Sequence, residues 1–440
     1  MTKNKSENHT GWFEILLLFI VISFIVYLPA FGHYFLSDDF NIISSVEKMS
    51  YSEIFTNFDA KFYRPLLHSV FKLNFDFFGM KPFPISLFKI ILHALSAFMV
   101  FLFCRNSKIL SEYAELAGIL FLLHFAHVEA VVWYSASDVM ASLFILLALL
   151  LHQKGKLLFA GLSFALALLG KESGAIFIGI AAVFDIYDKK HTKPRKMALS
   201  YLPYIVIFIA YMALRFRGIT TSANESYSLA FGLNIIKNYA YMLSAMVLPF
   251  NFFDIQQALQ QQGIGKFIIQ FPWIIVSMMA VFALYVIIYI NKRCSRKFFI
   301  AMFVSFLPFG LLGGSGERFL YLPSIFFILI LIIAIEGKKY LKIIIPVALI
   351  LFTLNSQLKW AQSGQYVEHI AEMVRDMEEA GADTVYILEP IDNIDGAYAF
   401  RNGIDKLGPL LTDNRIKTIA IEESNNLSED AHIIDYNPFD

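Results

Sequence analysis

The chain has 440 residues, of which 57% are hydrophobic and only 16% are charged. Soluble domains carry about 25% charged residues, and a soluble chain of this size has too little interior to bury so much apolar surface, whereas a bilayer can cover it. The formal net charge is zero, but residues 361–440 contain 17 Asp and Glu against 5 Lys and Arg, a net of −12. The composition therefore excludes an ordinary soluble enzyme and predicts a membrane-embedded body with an acidic, water-exposed tail.

Eleven apolar segments are predicted to cross the bilayer as helices, because a span needs about 20 apolar residues, or fewer inside a bundle. They are 12–31, 84–104, 109–126, 138–151, 157–170, 174–187, 198–215, 267–290, 298–313, 320–335 and 341–356. The first is expected to remain as a helix, since it is long enough to span and no small-x-small cleavage site follows it. The predicted fold class is a polytopic α-helical membrane protein, with a transmembrane domain over residues 1–360.

The basic residues of the short loops predict the orientation of these helices. The strongest cluster, Lys189–Lys196, and the other basic loops should be cytoplasmic by the positive-inside rule. The N-terminus is then cytoplasmic and the loop 32–83 lies outside. Residues 229–250 are predicted to be interfacial or re-entrant on the outer side, because a span there would turn the basic residues 292–297 outward. The C-terminus is therefore expected to be extracytoplasmic, and we expect a bacterial inner membrane.

The acidic region 361–440 is predicted to be a small extracytoplasmic α/β domain. Tyr366–Ala380 is an acidic helix candidate, and Thr384–Leu388 and Ile416–Ile421 have the composition of strands. A further helix is predicted over Ala397–Leu407, after the turn at Asp395-Gly396.

Adjacent carboxylates follow the first span, at Asp38 and Asp39 in loop 32–83. Such a pair can hold a divalent cation, or one carboxylate can act as a general base while the other orients it. The alternative is that Ser37 or Asp38 caps the helix that follows.

Two basic residues lie at predicted outer helix ends. Arg64 precedes Pro65, which would place it at a helix N-terminus, where anions are favoured; the alternative is an ordinary interfacial arginine. Lys171 and Glu172 lie in a tight turn. They either form a local ion pair or leave Lys171 to bind a phosphate.

Two further stretches complete the outer set of ionisable residues. His127 and Glu129 share a side only in an extended backbone, where they would converge on a cation or a hydroxyl; the alternative is an interfacial loop. Arg318 enters an apolar helix after the flexible stretch Gly313–Gly316. Because arginine stays charged and fits phosphate well, a phosphate-binding role is favoured over packing.

The sequence has no phosphate-binding P-loop, dinucleotide fingerprint or His-Glu-x-x-His motif, which argues against a soluble-nucleotide enzyme.

The order of these motifs resembles the GT-C class of membrane glycosyltransferases, whose hallmark is acidic residues in the first outer loop. Within that class, the chain resembles the TMTC-type and related protein O-mannosyltransferase-like enzymes and their bacterial relatives. The resemblance covers roughly residues 12–335 and rests on Tyr63–Leu66, His127–Trp133 with Asp138, Lys171-Glu172 and Glu317–Ser324. The tetratricopeptide repeats of TMTC proteins do not occur in this sequence.

The resemblance implies transfer of a sugar from a polyprenyl-phosphate donor in the membrane lipid to a protein, lipid or glycan hydroxyl, with inversion, and no nucleic-acid partner. Asp38 or Asp39 would be the base, and Arg318 with Lys171 or Arg64 would hold the donor phosphate. The residues expected to orient the acceptor or a cation are His127, Glu129, Asp138, Glu172, Glu317 and Tyr321. Members of the class differ in their use of a divalent metal, so Mg or Mn at the Asp38–Asp39 pair is left open.

Two other functions are consistent with a charged membrane protein. A transporter or flippase for a lipid-linked or anionic solute would need charged groups on both faces of a cavity and an inverted repeat. A non-catalytic scaffold would tolerate the loss of Asp38 or Arg318.

Overall fold

The computed structural model describes residues 11–56, 62–188, 194–217, 231–249, 269–312, 316–422 and 431–438, together with 255, 258, 259, 263 and 265–267. Most of this part of the chain is helical. The helices, numbered over the described residues, are α1 (Trp12–Tyr27), α2 (Asp38–Val46), α3 (Tyr51–Thr56), α4 (Pro65–Phe78), α5 (Phe83–Arg105), α6 (Ala114–Leu122), α7 (Val128–Val132), α8 (Asp138–Gln153), α9 (Leu157–Gly170), α10 (Phe177–Tyr187), α11 (Pro194–Phe216), α12 (Leu233–Ala245), α13 (Pro272–Asn291), α14 (Arg296–Gly310), α15 (Tyr321–Ala334), α16 (Leu341–Glu379) and α17 (Ile404–Leu411).

Each of the eleven predicted spans overlaps a helix, but not every helix is long enough to cross a bilayer alone. Those that are, by length and composition, are Trp12–Ala30, Phe83–Arg105, Arg195–Phe216, Pro272–Asn291, Glu317–Ala334 and Leu341–Glu379. The pair Ser111–Leu122 and Phe125–Val132, bent by 57°, reaches that length only as a unit. Helices α8 and α9 are apolar but shorter. The described residues thus contain six, or up to seven, candidate spans, and the count of eleven stays a prediction.

Besides its long apolar helices, the bundle has apolar side chains on its outer surface, as is typical of a membrane protein. Ile209, Val276 and Leu351 are each at least 60% exposed, on helices α11, α13 and α16. In water this surface would oppose folding, whereas lipid tails solvate it. Helix α15, in contrast, is buried along most of its length and lies in the centre of the bundle. The protein is an integral membrane protein.

Residues 229–250, which interrupt the predicted alternation of membrane spans, contain the short helix α12. Residues 229, 230 and 250 lie outside the described residues. The helix has 13 residues, about 20 Å, whereas a bilayer core is about 30 Å thick. Its polar side chains bond the end of α14: Asn234 Nδ2 donates to Leu312 O at 2.7 Å, and Asn238 Nδ2 donates to Gly310 O at 3.2 Å and to Leu312 O at 2.9 Å. The two asparagine side chains thus satisfy backbone carbonyls that the end of α14 would leave unpaired.

Helix α16 was predicted as two helices, 341–356 and 366–380, and this prediction was wrong. It is one helix of 39 residues, about 58 Å long, and it runs across the predicted domain boundary at residue 360. The division into two domains stays a prediction. Gly364 allows a close approach to the loop after α1, since a Cβ added there would lie 2.7 Å from His33 Cβ.

The C-terminal region contains a small parallel sheet and a hairpin. Strand β1 (Thr384–Leu388) lies between β4 (Lys417–Ile421) and β5 (His432–Ile434), with Thr384 opposite Lys417. Strands β2 (Asn393–Ile394) and β3 (Ala397–Tyr398) pair antiparallel.

The predicted helix over Ala397–Leu407 was wrong in its start. Residues 397–398 form β3, and α17 begins only at Ile404. Gly403, with φ +82°, precedes that helix in a left-handed conformation that favours glycine.

Candidate functional site

Arg64 and Glu172 form a bidentate ion pair although 108 positions separate them. Arg64 Nε and Nη2 donate to the two Glu172 oxygens at 3.0 and 2.7 Å, and Arg215 Nη1 lies 3.5 Å from the same carboxylate. Burial alone would raise the pKa of Glu172, but the two arginines outweigh it and hold this pKa well below its usual range. Burial, with Arg64 nearby, lowers the pKa of His68 to about 4. Two guanidinium groups therefore lie near one another at the Glu172 carboxylate.

Lys171 pairs with Asp138 rather than with its neighbour Glu172. Lys171 Nζ donates to both Asp138 oxygens at 2.6 Å, and both residues are buried. The local Lys171–Glu172 pair considered from sequence is not formed, because Lys171 is extended (φ −161°, ψ 140°) and successive side chains of extended backbone point to opposite sides.

Glu129 pairs with Arg318. The Arg318 backbone N–H donates to Glu129 Oε2 at 2.9 Å, and its guanidinium donates to Oε1. The predicted convergence of His127 and Glu129 is wrong, because this segment is helical and residues two apart then point in nearly opposite directions. His127 Nε2 lies 2.6 Å from Ser324 Oγ instead.

Tyr321 joins His127 in a buried aromatic cluster. Its hydroxyl lies 2.7 Å from His93 Nδ1, and its ring centre lies 4.6 Å from that of His127. All three residues are fully buried. The acceptor-orienting role predicted for Tyr321 and His127 stays a prediction.

The two carboxylates of the acidic pair lie in different surroundings. Asp39 is fully buried and accepts from Leu36 N at 3.0 Å and from Ser135 N at 2.8 Å. Burial raises the pKa of Asp39 to about 7. Asp38 is half-buried, and its Oδ1 accepts from Asn402 Nδ2 at 2.9 Å. The accessible carboxylate is therefore Asp38, whereas Asp39 connects two loops.

Two observations bear on the capping and metal-binding interpretations of this pair. Ser37 precedes α2 but its side chain makes no capping hydrogen bond, and neither does Asp38. Among the described residues, no group of three or more His, Cys, Asp or Glu side chains is arranged to hold a metal ion. Both Asp39 oxygens accept backbone N–H groups, and Mg or Mn at this pair stays a prediction.

Lys89 is a buried cation that the sequence reasoning missed. Its Nζ donates to Trp133 O at 3.2 Å and to Ala136 O, and it lies close enough to Asp39 and Asp138 to interact with both charges. It thereby joins the acidic pair to the Asp138–Lys171 pair. A lysine inside the predicted span 84–104 was the available signal, since ionisable residues in membrane helices are costly.

The Glu129–Arg318 pair adjoins the Asp138–Lys171 pair through Phe319. Lys171 Nζ lies 5.1 Å and Arg318 Cζ lies 4.7 Å from the centre of that ring. Arg318 also lies 4.9 Å from the ring centre of Trp133. The predicted charged residues are thus brought together into one continuous group at one end of the bundle. Gly313, Gly314 and Ser315, also predicted to belong to it, lie outside the described residues.

An open pocket lies beside this group, between the bundle and the C-terminal hairpin. Glu129 and Glu317 line it from the bundle, Trp360 from α16 and Tyr398 from β3. The Tyr398 ring centre is 4.6 Å from Trp133 and 5.8 Å from Trp360. No sequence signal marked Tyr398, because its place depends on how the hairpin packs.

The arrangement of helices is that of a GT-C fold. The chain superposes on the crystal structure of ArnT from Cupriavidus metallidurans bound to undecaprenyl phosphate with a TM-score of 0.50, covering 93% of this chain and 86% of that one. The two sequences are 10% identical, so this likeness concerns the fold alone.

In sequence, the chain is similar to protein O-mannosyl-transferases of the TMTC type. It is 35% identical to TMTC2 of Mus musculus and of Homo sapiens over 143 residues, which are 29% of this chain and 17% of those proteins. It is 28% identical to tmtc2 of Xenopus laevis over 198 residues, 39% of this chain and 24% of that protein. The chain thus spans only 17% to 24% of the length of these relatives. No family model matches. The predicted resemblance to the TMTC-type family is confirmed.

Proposed function

We propose that the protein transfers a sugar from a polyprenyl-phosphate carrier to a hydroxyl group of a protein, lipid or glycan at the outer face of a bacterial inner membrane. One observation carries the proposal: three ion pairs, Arg64–Glu172, Lys171–Asp138 and Arg318–Glu129, join residues from distant parts of the chain, and a half-buried carboxylate and an open pocket accompany them. Similarity to TMTC proteins and an ArnT-like fold support it.

Arg64 and Arg215 are the best candidates for the donor phosphate. Lys171 is bound by Asp138 and Arg318 by Glu129, whereas Arg64 and Arg215 both contact Glu172, which places two guanidinium groups near one another. Arginine pairs bidentately with phosphate. A fixed positive charge stabilises the charge that grows on the leaving phosphate.

Asp38 is the proposed base and Asp39 a positioning residue. Asp38 would take the proton of the acceptor hydroxyl while the hydroxyl oxygen attacks the anomeric carbon. The bond from that carbon to the phosphate oxygen breaks, polyprenyl phosphate leaves, and the configuration inverts. Asp39 cannot reach a substrate, because it is fully buried and both its oxygens accept backbone N–H groups.

A transporter is the alternative, but no observation favours it. A separate buried polar cluster lies at the opposite end of α8, where His152 lies 2.9 Å from both Asp185 and Tyr204, and Tyr201 donates to Asp185.

The test is a transfer assay with a panel of polyprenyl-phosphate sugars and the full-length protein. Asp38→Asn should lower the rate by about 10²–10⁴-fold, the range typical of a lost general base. Asp76→Asn is the matched control, because Asp76 lies in the same loop but pairs with Lys72 and Tyr51. Donor turnover that Asp38→Asn leaves unchanged would refute the base assignment. Movement of the intact donor across proteoliposomes without turnover would support the transporter.

A further inference from the structure

The C-terminal region contacts the acidic loop, which carries the proposed base, through residues 399–403. Ser37 N donates to Ala399 O at 2.8 Å, and Asn402 Nδ2 donates to Asp38 Oδ1 at 2.9 Å. The second of these bonds joins residues that lie 364 positions apart in the sequence. The C-terminal region therefore bonds both the backbone next to the proposed base and the carboxylate of the base itself.

Asn402 fixes one oxygen of the Asp38 carboxylate and leaves the other available. Within the described part of the chain, this carboxylate has one hydrogen-bond partner, and it is bonded at Oδ1. A carboxylate that is bonded at one oxygen no longer rotates freely, so its second oxygen points in a defined direction. A general base acts only when it lies within hydrogen-bond reach of the proton that it takes. The direction of the base thus depends on the Asn402 side chain.

The backbone directly before Asp38 is strained, and segment 399–403 lies against it. Ser37 has φ 49° and ψ −117°, a region that residues other than glycine disfavour and that persists only where the surrounding structure fixes it. Gly403 lies close to Ser37, since a Cβ added to this glycine would be 2.6 Å from Ser37 O. The ring of Phe400 stacks on that of Phe40, with the two centres 6.3 Å apart. These contacts support the strained backbone from which the base projects.

The helical bundle holds the acidic loop from the other side. Ser135 N donates to Asp39 Oδ1 at 2.8 Å, and Trp133 Nε1 donates to Leu36 O at 3.3 Å. These bonds fix Asp39 and the backbone of the loop. Among the described residues, the carboxylate of Asp38 is bonded from the C-terminal side alone.

We propose that segment 399–403 positions the proposed base, and that Asn402 directs the Asp38 carboxylate toward the acceptor hydroxyl. This inference rests on the proposed function, in which Asp38 takes the proton of that hydroxyl. Asn402 acts through Asp38 and is therefore a positioning residue. The C-terminal region then takes part in the reaction, although it supplies no reacting group.

The first test measures kcat and KM in the transfer assay with the full-length protein. Asn402→Ala should lower kcat by about tenfold, the effect of one lost hydrogen bond to a charged group. The KM values of donor and acceptor and the midpoint temperature of unfolding should not change. Asp405→Ala is the matched control, because Asp405 is exposed, lies in the helix that follows and bonds Lys406. Its kcat should equal that of the wild type.

A second variant gives a readout that a purely structural role would not change. Asn402→Asp places a carboxylate beside Asp38, and a like charge favours the protonated form of the base. The pH at which kcat/KM falls to half its maximum on the acid side should therefore rise by about one unit. Lys417→Gln is the control, because it changes the net charge by the same amount at an exposed position in strand β4. This control should leave that pH unchanged.

Hydrogen exchange tests the contact apart from transfer. Gly403→Ala pushes a Cβ against Ser37 O, so the peptide that contains Ser37 should exchange its amide hydrogens faster than in the wild type. Gly381→Ala is the matched control: Gly381 has a similar φ of +90°, but an added Cβ would meet no atom within 4 Å. A Gly403→Ala variant that does not fold leaves the decision to the two Asn402 variants, which change one exposed side chain.

The inference is overturned if Asn402→Ala keeps the wild-type kcat, or if this variant raises a KM instead. It is also overturned if Asn402→Asp and Lys417→Gln have the same pH profile, or if folded Gly403→Ala exchanges as the wild type does. Each of these results leaves the proposed function intact. No transfer by the wild type, together with faster exchange in Gly403→Ala, has the opposite meaning: segment 399–403 holds the acidic loop, and the proposed function fails.

Discussion

Replacing Asp39 by asparagine tests how the acidic loop is held together. In the native protein, Asp39 accepts from the backbone N–H groups of Leu36 and Ser135 at 3.0 and 2.8 Å, with no exposure to solvent. Asparagine has one acceptor oxygen and an NH₂ group, so one of the two N–H groups would face another donor. Leaving a buried N–H unpaired costs about 1–3 kcal/mol. Asp39→Asn should therefore destabilise the protein.

The loss of stability that Asp39→Asn causes should depend on pH. Burial raises the pKa of Asp39 from 3.8 to about 7 in the folded protein. The folded state therefore holds a proton that the unfolded state releases near pH 4. This contribution to stability is complete below pH 4 and is lost as pH rises through 7. Between pH 5 and pH 7 the wild type loses about 2 kcal/mol of it, and Asp39→Asn loses none. The variant's deficit should thus be larger at pH 5 than at pH 7.

Unfolding can be followed with a thiol-reactive dye on Cys104, which is buried, after the exposed Cys294 is replaced by serine. Midpoint temperatures of wild type and Asp39→Asn would be compared at pH 5 and pH 7 in detergent. Asp76→Asn controls for the general effect of pH on this loop. An equal deficit at both pH values would refute the assignment of a raised pKa to Asp39. A variant as stable as wild type at both pH values would refute the role of its two hydrogen bonds.

Three further predictions follow from the packing of the site. Asp138→Asn should cost about 3–5 kcal/mol by leaving the Lys171 charge buried without its partner, and the double variant Asp138→Asn/Lys171→Met should unfold at a higher temperature than Asp138→Asn alone. Arg215→Ala should weaken binding of bare polyprenyl phosphate by about tenfold, measured as a Kd in detergent; an unchanged Kd would remove Arg215 from the phosphate site. Gly364→Ala places a Cβ 2.7 Å from His33 Cβ and should cost about 1–3 kcal/mol through overpacking, seen as a lower midpoint temperature.

Ionisable residues at the ends of apolar segments were the strongest signal in the sequence. Asp38, Asp39, Lys171 and Arg318 stood out because charge near a membrane helix is costly and so marks a function or a partner. Composition and loop charge likewise sufficed to predict a membrane protein. These inferences depend on residue type and local context, which a sequence contains in full.

Tertiary packing decided which charges meet. Arg64 and Glu172 are 108 positions apart, and Glu129 and Arg318 are 189 apart, so their pairing depends on which helices are neighbours. Local conformation decided the rest: Lys171 is extended and turns away from Glu172, while the helix at His127 separates it from Glu129. The pocket depends on a hairpin that packs against α16 from a distant part of the chain, and no local pattern reports such a contact.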